Sequence, residues 1–338
     1  MEKTLTVIVP TYNMERLLQR CLESLVINDK EMMTLLEVLV IIDGATDRSS
    51  DIAHEYETLH PETFRVIDKE NGNYGSCINR GLEEAKGRYV KILDADDSFN
   101  TESLVKLIDT LNNTEADLVI TNYCICSCDS DNTERKAFQI PANVTLTARD
   151  LAPLGPHMAM HAVTYKTENL RNIGYHQTEK ISYTDQEWIF KPMTTVSTFI
   201  YVDTDLYQYT VGREGQTMDI KAMARNMYHN VIVMRNMVDT YNATSCSSDI
   251  IGYLRGRLEC YMEYIYSLYL FHTQQMDVEP LIRLDKELKH LCPPLYRHVG
   301  TLKAGKLPFV RLWRLFYYKK DHGINDFFRY RRYRLWRR

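Results

Sequence analysis

Glycine and proline are both scarce in this 338-residue chain, at 14 and 10 residues, which excludes collagen-like and low-complexity classes. Nowhere does it hold about eighteen consecutive apolar residues, so no transmembrane helix is expected. The first strand-like stretch begins by Leu5, and the expectation is that no secretory signal precedes it. None of the eight cysteines stands in CxxC spacing. Cys124, Cys126 and Cys128 alternate as strand side chains do, and the set fits a reduced interior rather than a disulfide framework. A GxGxxG is also missing after the first strand, where a dinucleotide site would need it.

What remains is ordinary globular material, 44% apolar and 25% charged, enough for one large or two ordinary domains. The net charge of −4 conceals a split. Residues 306–338 carry eleven Lys/Arg against two Asp/Glu, so residues 1–305 are strongly acidic.

Residues 4–9 read as a buried strand stopped by Pro10, and Leu18, Cys21, Leu22 and Leu25 then recur at helical spacing. Leu36–Ile42, Phe64–Asp68, Tyr89–Leu93 and Asp117–Cys126 are further strands. Between them the spacing predicts helices near Ser76–Lys86, capped by Gly87, and over Thr101–Asn112. Such alternation argues for right-handed βαβ units and a mainly parallel sheet. Residues 130–150 read as a polar surface excursion, and 197–202 and 205–211 as two more strands. From Asp219 the pattern turns helical, with Ile250, Leu254, Leu258, Tyr261, Ile265 and Leu268 along one face. We place an α/β domain at 1–218, with halves 1–100 and 101–218, and a helical domain at 219–338.

In an open α/β sheet, ligands bind outside the carboxyl ends of the strands. Pro10-Thr11-Tyr12-Asn13, Asp43 and Asp94-Ala95-Asp96-Asp97 all fall there. Three carboxylates within four residues repel one another unless a cation sits among them, and Mg²⁺ or Mn²⁺ uses carboxylates together with phosphate oxygens. The plainer alternative is an N-cap for the helix from Thr101. Asn71-Gly72-Asn73-Tyr74-Gly75 is either a turn into a helix or a loop against a nucleotide.

Val7-Ile8-Val9-Pro10-Thr11-Tyr12-Asn13, Asp43-Gly44-Ala45-Thr46-Asp47, Asn79-Arg80-Gly81 to Lys86-Gly87, and Leu93-Asp94-Ala95-Asp96-Asp97 occur in this order. Together they resemble glycosyltransferase family 2, closely over 4–100 and more loosely to about 218. The resemblance implies a GT-A fold and a metal-dependent, inverting transfer of a sugar from a nucleotide-sugar, most often UDP-linked. It implies that Pro10, Thr11, Tyr12, Asp43, Asn79 and Asp94 hold the nucleotide, with Asp43 accepting from the uracil N3–H. It implies Asp96 and Asp94 as ligands of Mn²⁺ or Mg²⁺. Two positions depart from the family pattern: Ile42 replaces a first Asp, and Ile78 replaces an Arg.

Inversion by single displacement needs a base for the acceptor hydroxyl. Tyr183-Thr184-Asp185-Gln186-Glu187-Trp188 resembles the family's Glu-Asp motif with Thr184 in place of the Glu, and this implies Asp185 as the base. Thr184 and Glu187 also have capping-box spacing, which would expose Asp185 at a helix start where the dipole favours its ionised form. The stretch Tyr209–Thr217 resembles the loop that closes over the diphosphate, with Arg213 as a phosphate partner; a solvated Arg is the alternative. His157 and His161 read as packing or surface residues sooner than ligands. Tyr261, Tyr264, Tyr266 and Tyr269 read as core sooner than a sugar platform.

The basic, aromatic 306–338 segment, with Phe309, Val310, Trp313, Phe316 and Tyr317, suits a surface meeting anionic headgroups. Neutralisation of the acidic body and nucleic-acid binding are the alternatives, the last of which is not expected. The acceptor implied is a saccharide or lipid-linked saccharide in cell-surface polysaccharide synthesis. Localisation is expected to be cytoplasmic, with peripheral attachment to the inner membrane face left open. Two rival readings are a catalytically silent nucleotide-sugar-binding scaffold, which the missing Arg and Glu would favour, and a sugar nucleotidyltransferase, which lacks its Gly-rich, Arg-containing N-terminal loop.

Overall fold

The computed structural model describes residues 2–128, 132–212, 226–244, 248–272, 279–304 and 306–317. The expected domain boundary near 218, Arg213 and the tail beyond 317 lie outside the described residues. Strand β1 (Leu5–Thr11) leads through helices α1 (Leu18–Glu23) and α2 (Lys30–Leu35) to β2 (Leu36–Asp43). Helix α3 (Ser49–Leu59), β3 (Phe64–Lys69), α4 (Asn73–Glu84), β4 (Tyr89–Ile92), the short β5 (Ser98–Phe99) and α5 (Thr101–Asn112) complete the first half. The second half holds β6 (Leu118–Ser127), β7 (Thr133–Lys136), β8 (Thr145–Thr147), β9 (Val163–Lys166), α6 (Thr167–Asn172), α7 (Asp185–Trp188) and β10 (Thr198–Val211). Helices α8 (Met227–Ala243), α9 (Ser248–Ser267), α10 (Glu279–Leu291), α11 (Pro293–Val299) and α12 (Phe309–Tyr317) follow.

One ten-stranded sheet runs in the order β3-β2-β1-β4-β9-β6-β10-β5, with β7 on β6 and β8 on β10. The β1–β2, β2–β3, β1–β4 and β6–β10 pairs are parallel, as βαβ alternation predicts. The rest of the sheet is antiparallel: β9 lies between β4 and β6, β5 and β8 pair with β10, and β7 pairs with β6. Both faces are covered, so β1 and β2 are buried throughout and read as continuous apolar runs rather than alternating ones. Side chains still alternate: Leu5, Val7 and Val9 join one core with Leu22 and Leu104, and Ile8 joins the other with Ile78 and Trp188.

That second core does not stop at the sheet. It continues through Tyr253, Leu258 and Leu284 to Val310 and Trp313, so the C-terminal helices pack on the sheet's open face. Phe309, Val310 and Trp313 are buried, which removes them from the lipid-facing surface expected of the segment. Arg314 on the same helix grips the fully buried Asp285 through Nε and Nη2.

Other expectations shift in detail. Strand β1 runs through Pro10 because β4 pairs only as far as Ile8; beyond it the missing proline N–H has no ladder bond to lose. Gly87 is not the cap of α4, whose C-cap is Ala85; a Cβ at Gly87 would stand 2.3 Å from the backbone N of Thr6. The 130–150 stretch contains β7 and β8 rather than only irregular chain. The two strands expected at 197–211 are one strand with bulges between Val202 and Tyr207.

Candidate active site

The carboxyl ends of β1 and β2 lie side by side, since Thr11 pairs with Ile42. Thr11 is buried and its hydroxyl donates back to Val9 O, whereas Tyr12 is 49% exposed. Asp43 is buried and organises the turn ahead of α4. Its Oδ1 accepts from Lys69 Nζ at 2.5 Å and Gly72 N at 2.9 Å, and its Oδ2 from Asn73 N at 2.9 Å. Gly44, at φ +66, lets the backbone pass beside Asn71, whose Nδ2 donates to Asp43 O. Asn79 turns elsewhere: it bonds Gln177 through both amide atoms and Glu179 through its NH₂, tying α4 to the 176–179 segment. Ile78, at the family's Arg position, is fully buried in the core.

The Asp cluster follows β4, where β1 and β4 stop pairing. It is not a helix cap, because Asn100 performs that task for α5 with Oδ1 accepting from Ser103 N at 2.9 Å. The backbone O of Asp96 accepts from Arg20 at 2.6 Å. Asp97 is buried, with Oδ2 accepting from Tyr207 Oη at 2.9 Å and Oδ1 from Thr210 N at 2.7 Å. Burial, then Asp94 and Asp96, push its carboxyl up to about 8. Asp94 points to the open side and accepts from Tyr74 Oη at 2.8 Å.

His161 joins this cluster. Among the described residues, ligand atoms of Asp94, Asp97 and His161 all lie within 4.8 Å of one another. The His161 ring stacks on Tyr209 at 4.5 Å and 24°, and burial followed by Lys91 pushes its pKa down to about 3, keeping it neutral. Its Nδ1 is buried without a hydrogen-bond partner among the described residues. An orphaned imidazole nitrogen beside carboxylates whose mutual repulsion shifts Asp97 upward is a donor set that fits a divalent cation. Lys91 beneath it donates to His161 O at 2.8 Å and Val163 O at 3.2 Å, and burial pulls its pKa down to about 7.

Asp94, Tyr74, His161, Asp185, Arg257 and Tyr264 all line one cavity of about 500 Å³. Asp185 is the first residue of the four-residue α7, as anticipated, but the capping box is absent. Thr184 Oγ1 instead accepts from Gln177 Nε2 at 2.8 Å, and the Glu187 carboxylate accepts from Thr178 N and Asn236 Nδ2, each at 2.8 Å. One helical turn sums few peptide dipoles, so burial dominates and raises the Asp185 pKa rather than lowering it. Gln186 Nε2 donates to Asp185 Oδ2 at 2.7 Å, and Arg257 bonds Gln186 Oε1 in turn.

The topology thus brings Asp94 and Asp185, ninety-one positions apart, to one cavity, with the Tyr12 and Asp43 strand ends at the same sheet edge. Sequence reasoning undervalued His161 and Tyr264, which line the cavity; Tyr261, which also borders it, is core with Tyr266 and Tyr269, as expected. Tyr74 carried a signal in its Asn-Gly-Asn-Tyr-Gly setting, whereas Lys91 and Arg257 had none.

Residues 6–174 match the family model described as Glycosyl transferase family 2. The putative glycosyltransferase EpsH of Bacillus subtilis is 36% identical over 118 residues, which cover 35% of this chain and 33% of that protein. The chain spans 33% and 41% of the length of the first two curated relatives it matches. Among solved structures, S. aureus TarS 1–349 in complex with UDP-GlcNAc is similar at TM-score 0.71 and 19% identity, covering 96% of this chain and 89% of that one. The mannosyltransferase PcManGT of Pyrobaculum calidifontis, in complex with GDP-Man and Mn²⁺, is similar at TM-score 0.53 and 15% identity, covering 97% and 84%. These likenesses establish a GT-A-type fold.

Proposed function

This chain belongs to glycosyl transferase family 2, and from that premise we propose that it transfers a sugar from a nucleotide-sugar, UDP-linked, to a saccharide or lipid-linked saccharide hydroxyl with inversion, in cell-surface polysaccharide synthesis. The observation that carries the reading is the shared cavity of Asp94 and Asp185. It supports a carboxylate cluster for the donor diphosphate and a base for the acceptor within one cavity.

In this reading Pro10, Thr11, Tyr12 and Asp43 receive the nucleoside. Tyr12 offers an exposed ring for the base, and Asp43 keeps acceptor capacity on Oδ2 beside its bond from Asn73 N. Asn79 acts by fixing the segment that leads to Asp185, and Arg213 meets the phosphates. Asp94 and Asp96 would hold a Mn²⁺ or Mg²⁺ ion, with His161 and Asp97 beside Asp94; when bound, the ion offsets the charge on the leaving diphosphate. Asp185 takes the acceptor proton. As the acceptor oxygen bonds the anomeric carbon, the bond from that carbon to the phosphate oxygen breaks and the nucleoside diphosphate leaves with its electron pair. The raised Asp185 pKa makes it a stronger base than an exposed carboxylate.

Calorimetric titration with UDP, with and without Mn²⁺, tests the donor side, followed by a screen of nucleotide-sugars for hydrolysis. Metal-dependent UDP binding is the expected result. Absence of any heat with UDP plus Mn²⁺ would overturn the nucleotide-sugar reading.

A further inference from the structure

Among the described residues Arg257 has no carboxylate within ion-pair distance, unlike Arg314, Arg135 and Arg65. Among those residues its guanidinium bonds only neutral oxygens, Gln186 Oε1 and Pro156 O, and its buried Nε has no partner. The residue is half-buried on the wall of the 500 Å³ cavity. Removing a cation from water costs several kcal/mol unless an anion compensates it, and an unmade guanidinium bond adds to that cost.

Its setting on α9 is regular. Residues 257, 261 and 264 are spaced i, i+4 and i+7, so Arg257, Tyr261 and Tyr264 form one stripe along the helix, and all three line the cavity. The two tyrosine rings lie nearly parallel, at 18° with centroids 6.3 Å apart. The Tyr261 hydroxyl is fixed by donating to Asn230 Oδ1 at 2.7 Å. The exposed Tyr264 ring, backed by the buried Tyr261 and next to a guanidinium fork, offers an apolar face for sugar C–H groups and a bidentate donor for an oxyanion. Asp185 lines the same cavity, within electrostatic reach of Arg257.

We propose that Arg257, Tyr261 and Tyr264 form the acceptor subsite, and that the acceptor is an anionic saccharide whose phosphodiester or uronate carboxylate binds the Arg257 guanidinium. The inference rests on the glycosyl-transfer reading, since it assigns the acceptor's charge in that same cavity. It also gives the helical half a task in substrate choice.

The test uses the full chain saturated with UDP and Mn²⁺, titrated by calorimetry with a glycerol-phosphate oligomer, an oligogalacturonate and a neutral malto-oligosaccharide of matched length. At least one anionic probe should bind about tenfold or more tightly than the neutral one, the scale of one charge-assisted bidentate contact. Which of the two does so identifies phosphodiester or carboxylate. Arg257→Gln should bring that preference to within about twofold, and Arg257→Lys, which keeps charge without the fork, should retain part of it. UDP–Mn²⁺ affinity should not change in either variant, which also reports that the site is folded. Equal binding of all three probes to the wild type, or of none, overturns the proposal. So does Arg257→Gln weakening UDP about tenfold, which assigns the guanidinium to the donor diphosphate. An unchanged anionic preference in Arg257→Gln, with only kcat lowered, reduces Arg257 to a counter-ion of Asp185 and likewise sinks it. Failure of the glycosyl-transfer reading looks different, because UDP–Mn²⁺ binding would then be absent from the start.

Discussion

Asp185→Asn separates chemistry from scaffold. The substitution keeps side-chain volume, and the amide oxygen can still accept from Gln186 Nε2, now at 2.7 Å from Oδ2. What it removes is the capacity to take a proton. General-base catalysis contributes about 10²–10⁴ in rate, or roughly 2.7–5.5 kcal/mol of barrier, so kcat should fall by that factor. UDP–Mn²⁺ affinity should stay within about twofold, because no nucleotide-holding residue is touched. The pH dependence follows from burial, which raises the Asp185 pKa. The base must be ionised, so wild-type kcat/KM is full above that raised pKa and falls as pH drops through it, in a limb above the ordinary carboxylate range near 4. Asp185→Asn should lack the limb. Linkage sets the sign for stability: a carboxyl raised in the fold favours folding at low pH and opposes it as pH rises through the folded pKa. The neutral amide should therefore melt no lower than wild type at pH 8. Retention of more than about a tenth of wild-type kcat would remove Asp185 from the base role. A drop in melting temperature with weakened UDP binding would make it a structural residue instead.

Two further substitutions address other links. Asp94→Asn removes the carboxylate that lines the cavity and accepts from Tyr74, so the Mn²⁺ concentration for half-maximal UDP binding should rise by about tenfold or more; an unchanged Mn²⁺ titration counts against that wall as the metal site. Arg314→Met strands the fully buried Asp285, with the Tyr266 hydroxyl among its remaining partners, and should cost about 3–5 kcal/mol in denaturant unfolding. The Asp285→Asn/Arg314→Met pair should recover most of that loss, and equal destabilisation by the single and double variants would argue against an ion-pair origin.

Strand and helix identities were legible from β1 through α5 because each element states its period locally. β1 and β2 are apolar runs bounded by polar turns, and α5 repeats Leu104, Leu107, Ile108 and Leu111. The cap reading of the Asp cluster failed on one neighbour, Asn100, a competition a local motif cannot decide. Thr184 and Glu187 had the spacing of a capping box, but Gln177, Thr178 and Asn236 offered them better partners from elsewhere in the chain. Phe309, Val310 and Trp313 had an amphipathic pattern that suits a lipid surface and a protein core equally.

By itself the sequence determined that strands would alternate with helices and that carboxylates would gather where strands end. Those facts depend on short-range periodicity and on motifs a few residues long. Only the tertiary structure decided that β9 enters the sheet antiparallel, that His161 sits against Asp94, and that Arg257 and Tyr264 wall the cavity holding Asp185. These depend on contacts between residues distant in sequence, where burial and the availability of a partner, rather than spacing, determine what each polar group does.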